Sequence, residues 1–156
     1  MTQSTEIQTE YLMTLHSPGA GPPQRVDSTL TIYHSSEGWA KGPKIVGTIL
    51  APTGDWLRAT ASGSLRVDAR MTLRTDDGAL IYVSYGGVIS MTQANFERMS
   101  GGATLTSADV YFVTTPVFQT SAERYGWLNH VQAIGKVASV KGGAGSHVRY
   151  DVFAVK

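Results

Sequence analysis

The sequence predicts an all-β fold, either a β-sandwich or a closed antiparallel barrel of about nine or ten strands. Apolar and polar residues alternate with a period of two along most of the chain. Gly, Pro, Asn, Asp or Ser separate the alternating segments at short intervals, as expected between antiparallel strands. No segment between successive strands can hold the crossover helix that a parallel α/β fold requires.

The clearest element is a central hairpin. Residues 64–74 alternate without a fault, so their apolar side chains share one face and their charged side chains share the other. Asp77-Gly78 follows and is typical of a tight two-residue turn. That turn predicts that Arg70 lies opposite Tyr85 on the returning strand.

The other elements follow from the same alternation. Residues 93–99 predict one short helix, and residues 121–125 predict a single helical turn. Residues 1–9 are predicted to be a flexible leader, and residues 10–156 a single barrel domain. The remaining candidate strands cover residues 11–15, 28–33, 44–50, 55–60, 109–118, 127–139 and 148–155.

The composition excludes several classes of function. Thirteen Lys and Arg against twelve Asp and Glu give a net charge of +1, so nucleic acid and anionic membranes are not expected partners. The absence of cysteine excludes a disulfide framework, thiolate catalysis and cysteine-ligated zinc. No apolar run approaches ~20 residues, and the N-terminus lacks the pattern of a secretory signal. The expected location is the cytoplasm.

Sequence motifs give no sign of a metal or cofactor. His16, His34, His130 and His147 are dispersed and show no metal-ligand spacing. Dinucleotide and phosphate-loop fingerprints and a serine nucleophile elbow are also missing. Any chemistry is therefore expected to use acid–base side chains without a cofactor.

Five segments together resemble one known family: residues 42–47, 54–56, 68–83, 111–118 and 124–129. Their order and spacing resemble the microbial domain-of-unknown-function family 3237 from about residue 10 to residue 155. The most specific segments are the Asp-Ala-Arg strand with its Asp-Asp-Gly turn, and Tyr-x-Trp-Leu-Asn. The resemblance implies a lipocalin-like barrel of about 8–10 strands with at most one short helix and a ligand pocket.

The chain departs from that family at two positions. Members often carry arginines where this chain has Ser84 and Val113, so no substrate contact is transferred to either residue. The family also fixes a fold without fixing a function.

Asp68 and Arg70 are two residues apart, so both project from one face of their strand. As a buried pair, Arg70 would anchor an anionic or phenolic oxygen and Asp68 would orient it. The alternative is that both lie on a solvated outer face, with the apolar residues of the strand inside.

Asp55 is a second candidate, next to Trp56 at the start of a strand. A carboxylate beside an indole at the barrel mouth would be partly desolvated, which raises its pKa towards that of a general base. The alternative is an Asp that caps its own turn. Tyr82 could stabilise an oxyanion as a phenol, or could simply expose its hydroxyl.

The sequence offers two further groups of candidate ligand-binding residues. In a strand, Tyr125, Trp127 and Asn129 would share one face and suit a flat aromatic ligand. The alternative is that Trp127 is a core residue, Tyr125 lies at a corner and Asn129 hydrogen-bonds the backbone of a loop. Along the chain, Phe112, Thr114 and Phe118 alternate, so they either line the pocket or pack the core.

These residues support two hypotheses of different class. The first is a cofactor-independent lyase or isomerase, acting by retro-aldol cleavage or elimination on an aromatic or other hydrophobic small molecule inside the barrel. In this scheme the base is Asp55 or Asp68, the developing oxyanion is stabilised by Arg70, Asn129 and Tyr82, and the ring is held by Trp56 and Trp127. The alternative is a non-catalytic carrier of such a ligand. Three tryptophans and seven tyrosines in a small barrel also predict a homo-oligomer, a dimer or larger.

Overall fold

The computed structural model describes residues 5–156. In chain order the elements are β1 (Thr9–Pro18), β2 (Gln24–Arg25), β3 (Leu30–Ser35), β4 (Gly38–Lys41), β5 (Val46–Ala59), β6 (Leu65–Thr75), β7 (Leu80–Ser90), α1 (Gln93–Ser100), β8 (Thr104–Thr106), β9 (Tyr111–Thr114), β10 (Val117–Gln119), a 3₁₀ helix (Glu123–His130), β11 (Ala133–Lys141) and β12 (His147–Val155).

Eight antiparallel strands close into a barrel. Each strand pairs with the next in the order β5, β6, β7, β9, β11, β12, β1 and β4, and β4 pairs with β5 to complete the ring. The remaining strands extend the edges: β3 continues from β5, β2 from β3, β8 from β11 and β10 from β7. The predicted all-β barrel is confirmed. Closure removes the exposed edges that an open sheet would present.

The interior is filled by the apolar residues of the alternating pattern. On β6, Val67, Ala69, Met71 and Leu73 are at most 5% exposed, while the charged residues between them are exposed. Burial of this kind is the main source of stability for a small barrel. Within residues 5–156, neither helix is long and apolar enough to cross a membrane.

The central hairpin forms as predicted, but its register differs by one residue. The Thr75 amide donates to the Ala79 carbonyl at 2.9 Å, so three residues form the loop. Gly78 takes the positive φ of 89° that closes such a loop. Tyr85 consequently lies opposite Ala69 rather than Arg70. A one-residue difference in register moves every side chain of the returning strand to the other face.

Several predicted boundaries were wrong. The two strands expected at residues 44–50 and 55–60 form a single strand, β5, whose register shifts between Leu50 and Gly54. Pro52 lies in this irregular stretch and has no N–H to donate to a ladder. The strand expected from residue 127 begins only at Ala133.

Other parts of the chain were predicted less completely. The strand expected at residues 109–118 is divided into β9 and β10 by Thr115 and Pro116. The four-residue strand β4 was not predicted. Of the predicted leader, residues 1–4 lie outside the described residues, and β1 begins at Thr9.

The 3₁₀ helix is tied to the hairpin turn by Asp77. The Asp77 carboxylate accepts hydrogen bonds from the Tyr125 hydroxyl at 2.9 Å and from Arg124 Nη1 at 3.0 Å. The Thr75 hydroxyl also donates to it, and these hydrogen bonds lower the pKa of Asp77. The network holds the 3₁₀ helix against one end of the barrel.

Replacing Tyr125 with Phe should lower the free energy of unfolding by about 1–2 kcal/mol, because a buried donor to a carboxylate is lost. Urea denaturation measures the change. Tyr111→Phe is the matched control, since Tyr111 is 59% exposed and its loss should cost less than about 0.5 kcal/mol. Equal effects of the two variants would contradict a stabilising role for the Asp77 network.

Candidate functional site

A carboxyl group and two phenols lie together in the barrel interior. Asp55 on β5 pairs with Ala69 on β6, and Ala69 pairs with Tyr85 on β7, so the three residues form one row across the wall. Because the central residue of the row is small, the longer side chains on either side have room to approach each other. The second phenol, Tyr150, comes from β12. We refer to Asp55, Tyr85 and Tyr150 as the interior triad.

The two phenols are packed tightly. The ring of Tyr150 meets that of Tyr85 edge-on, with centroids 5.7 Å apart and an interplanar angle of 75°. Phe112 contacts Tyr150 in the same way at 5.3 Å. Edge-to-face contacts of this kind fix the orientation of both rings. Their hydroxyls therefore have defined positions inside the barrel.

Asp55 has an unusual pKa. Burial raises the pKa of this carboxyl to about 6, and the negative charge of Asp68 acts in the same direction. The hydrogen bond that the Asp68 amide donates to Oδ1 of Asp55 at 3.0 Å opposes the rise. This shift is in the direction expected from the sequence for a carboxylate beside Trp56. A carboxyl group with this pKa is mostly ionised at pH 7 and can still be protonated, as a general base must be.

The pKa values of the two phenols are also raised, which keeps them protonated. Burial raises the pKa of Tyr85, and the negative charge of Asp55 raises it further. The pKa of Tyr150 is raised well above its ordinary value by burial, by its interaction with Tyr85 and by the negative charge of Asp55. Both phenols therefore remain protonated at neutral pH, and their mutual hydrogen bond raises the pKa of Tyr150 and lowers that of Tyr85.

Asp68 and Arg70 lie on the outer face of the barrel, so the predicted buried pair was wrong and the solvated alternative is correct. Their side chains are 58% and 52% exposed, and Arg70 Nη2 lies 3.4 Å from Asp68 Oδ1. The guanidinium carbon of Arg70 is 5.7 Å from the ring centroid of Trp56. The apolar alternation of β6 determines this outcome, because its apolar side chains fill the interior.

Tyr82 also lies outside the barrel. It pairs with Thr72 and is 38% exposed. Together with Asp68, Arg70 and Ser84 it lines a shallow groove of about 360 Å³ that is open to solvent. Tyr85, a member of the interior triad, also lines this groove.

All three predicted binding residues on β9 and β10 are buried in the core. Thr114 is 1% exposed, and a Cβ at Gly135 would lie 2.3 Å from its hydroxyl oxygen. Phe118 is 7% exposed in the same core. Phe112, in the same core, also contacts Tyr150 of the interior triad.

The predicted face of Tyr125, Trp127 and Asn129 does not exist, because these residues form the 3₁₀ helix. A 3₁₀ helix has three residues per turn, so alternate residues point in different directions. Tyr125 binds Asp77, and Trp127 lies 5.4 Å from Nζ of Lys44. Asn129 makes two hydrogen bonds to the Thr120 backbone, both 2.9 Å long.

Sequence reasoning missed the two tyrosines of the interior triad. Tyr85 and Tyr150 each follow the apolar alternation of their strand, so the signal was present. The predicted two-residue turn placed Tyr85 on the charged face, whereas the observed register places it inside. Within residues 5–156, no group of three or more His, Asp or Glu side chains could hold a metal ion.

Comparisons with known proteins agree with this fold. A conserved protein of unknown function from Rhodopseudomonas palustris has a solved structure with a TM-score of 0.85 at 24% identity, covering 98% of this chain and 100% of that one. A UPF0311 protein of Clostridium acetobutylicum is 30% identical over 95 residues, which is 60% of each chain. The alignments span 60% to 66% of the first curated relatives.

One relative has a named activity. The hydroalkoxylation enzyme of Penicillium herquei is 33% identical over 94 residues, covering 60% of this chain and 48% of the relative. The family profile of proteins of unknown function designated DUF3237 matches residues 7–155. The chain therefore belongs to the DUF3237 family.

Proposed function

We propose that this protein is an acid–base enzyme that adds an alcohol or water across a carbon–carbon double bond, or eliminates it, in a hydrophobic small molecule that reaches the interior triad. The observation that carries the proposal is the interior triad, in which Asp55 and Tyr85 share one row of the wall and the charge of Asp55 acts on both phenols. The pKa of the Asp55 carboxyl, about 6, suits a general base. The Penicillium herquei relative supports the reaction class, since hydroalkoxylation is the addition of an alcohol to an alkene.

The chemistry balances with the residues of the triad alone. The Asp55 carboxylate accepts the proton of a substrate hydroxyl, and the hydroxyl oxygen forms a bond to one alkene carbon. The π electrons move to the other carbon, which then takes the proton from Asp55. One O–H bond and one π bond break, while one C–O bond and one C–H bond form. Elimination follows the same steps in reverse, and it is the lyase reaction predicted from the amino-acid sequence.

In this scheme Tyr85 and Tyr150 stabilise negative charge. If the alkene is conjugated to a carbonyl, charge develops on the carbonyl oxygen in the transition state. Protonated phenols inside a protein are strong donors to such an oxyanion, because little water competes for the hydrogen bond. The phenol ring of Tyr150 and the neighbouring Phe112 favour a substrate with an aromatic body.

The pH dependence tests the assignment of the base. With Asp55 as the base, kcat/KM should rise with pH, reach half its maximum near pH 6 and level off above pH 7. Steady-state assays with hydroxylated aryl alkenes, followed by absorbance and mass spectrometry, measure the profile. A pH-independent rate between pH 5 and 8 would contradict a role for Asp55.

The carrier alternative uses the same interior without chemistry. It predicts quenching of tryptophan fluorescence by the same aryl alkenes, with the ligand recovered unchanged. Recovery of unchanged ligand throughout the panel would favour the carrier. Homo-oligomerisation and a cytoplasmic location remain predictions, and light scattering tests the first.

A further inference from the structure

Three neighbouring strands, β12, β1 and β4, carry basic and aromatic side chains side by side on the outer wall of the barrel, and β11 lies next to them. Arg149 on β12 pairs with His16 on β1, and His16 pairs with Trp39 on β4. On the other side, Arg149 pairs with Ser139 on β11. The outer basic cluster consists of five residues from three of these strands: His16, Trp39, Lys41, His147 and Arg149.

The side chains of the cluster are held in contact. The His16 ring stacks on Trp39 with centroids 5.2 Å apart and planes 16° apart, and it lies 5.2 Å from the ring of His147. The guanidinium of Arg149 and the ammonium of Lys41 lie 5.3 Å and 4.9 Å from the centroid of Trp39. The basic groups are thus concentrated around one indole.

Arg149 has unused hydrogen-bonding capacity. Its Nε donates to Nδ1 of His16 at 3.4 Å. Across residues 5–156, its two Nη groups have no side-chain or backbone acceptor, although the residue is half-buried. A guanidinium presents five N–H donors in a planar fork that matches carboxylate and phosphate oxygens. The free part of this fork is a ready oxyanion ligand.

The cluster has an excess of positive charge. None of the ion pairs found within the described part of the chain involves its members. Burial lowers the pKa of His16, as do the charges of Arg149 and His147. The other charged groups facing this region include Lys141, which binds the Ala144 carbonyl, and Asp151, which accepts a hydrogen bond from Thr14 at 2.7 Å. Lys136 on β11 pairs with Asp151 and lies on the same face.

We propose that the outer basic cluster binds an oxyanion, the carboxylate or phosphate group of a small molecule, with Arg149 as its principal ligand. The site lies on the opposite face of the barrel wall from the interior triad, so it is independent of the proposed reaction. A bound negative charge stabilises the protonated imidazole of His16 beside it, which links anion binding to proton uptake by His16.

The test is an NMR titration of the four histidine side chains with inorganic phosphate and, separately, with benzoate. Sodium chloride keeps the ionic strength constant. The His16 and His147 resonances should shift saturably with at least one anion, and the pKa of His16 should rise. His34 and His130 lie outside the cluster and should not respond. Saturation by phosphate alone or benzoate alone supports the site and identifies the group it prefers.

Variants make the result specific. Arg149→Gln should weaken the response about tenfold or more, whereas Arg66→Gln, the same change at an exposed position on β6, should leave it intact. If Arg149→Gln does not fold, Lys41→Gln should still weaken binding, because Lys41 is exposed and its loss removes one positive charge. Equal shifts in chloride, or an undiminished response in a folded Arg149→Gln protein, would overturn the proposal.

Discussion

Replacing Asp55 with Asn should reduce kcat/KM by about 10²–10⁴-fold, because a carboxamide cannot accept the substrate proton at neutral pH. The carboxamide oxygen can still accept the hydrogen bond from the Asp68 amide, so the local ladder between β5 and β6 is preserved. The measurement is turnover of an aryl alkene substrate by the purified variant, with circular dichroism to verify folding.

Asp68→Asn separates the two carboxylates that the sequence offered as bases. Asp68 lies on the outer face with its side chain 58% exposed, so its loss should change kcat/KM by less than about threefold. A large loss in Asp68→Asn, with activity retained in Asp55→Asn, would move the chemistry from the interior triad to the outer groove.

The same Asp55→Asn change should stabilise the protein at neutral pH. The folded state holds the Asp55 proton with a pKa of about 6, against the ordinary value of 3.8. Stability associated with this group is therefore fully present below pH 3.8 and is lost as the pH rises through 6. The difference corresponds to roughly 3 kcal/mol. Removing the charge should recover about 1–3 kcal/mol at pH 7.5 and little at pH 4.

Urea denaturation at the two pH values measures this gain. Asp76→Asn is the control, because Asp76 is exposed in the hairpin turn and carries the same charge. A gain at pH 7.5 that is absent at pH 4 and absent in Asp76→Asn is the expected result. A variant that is less stable than the parent at pH 7.5 would show that the ionised carboxylate is well solvated. Stability gained with activity lost is typical of a functional residue held in an unfavourable environment.

Much of the fold could be predicted because it depends on local patterns. The alternation from Leu65 to Leu73 is nearly sufficient to place β6, and the turn at Gly78 identifies the hairpin. The family resemblance extended this hairpin to a barrel. The strand β4 was missed because four residues, two of them Gly38 and Lys41, show too little alternation to detect.

The site was harder to predict because it depends on register. Alternation reports which residues share a face, but it cannot tell whether a polar set points inward or outward. For β6 the apolar set is inside, which places Arg70 in solvent. For β7 a three-residue loop instead of a two-residue turn exchanged the faces of Tyr82 and Tyr85. Asp55 remains a predicted base; its neighbour Trp56 and the preceding turn were the features that indicated desolvation.

The segment from Tyr125 to Asn129 illustrates a different limit. Its spacing fits a strand as well as a helix, since only five residues are involved. The hydrogen bonds that select the 3₁₀ helix come from distant residues, Asp77 for Tyr125 and Thr120 for Asn129. Tertiary contacts of this kind override a short local pattern.

The pKa of the Asp55 carboxyl group tests the central claim most directly. A ¹³C-detected NMR titration of the side-chain carboxyls, with Asp55→Asn to assign the resonance, measures it without any knowledge of the substrate. We expect a midpoint near pH 6 for Asp55, with the ring signals of Tyr85 and Tyr150 shifting over the same pH range. A midpoint near pH 3.8 for Asp55 would contradict an acid–base site inside the barrel. Tyr85 and Tyr150 ring resonances that do not shift over this pH range would also contradict it.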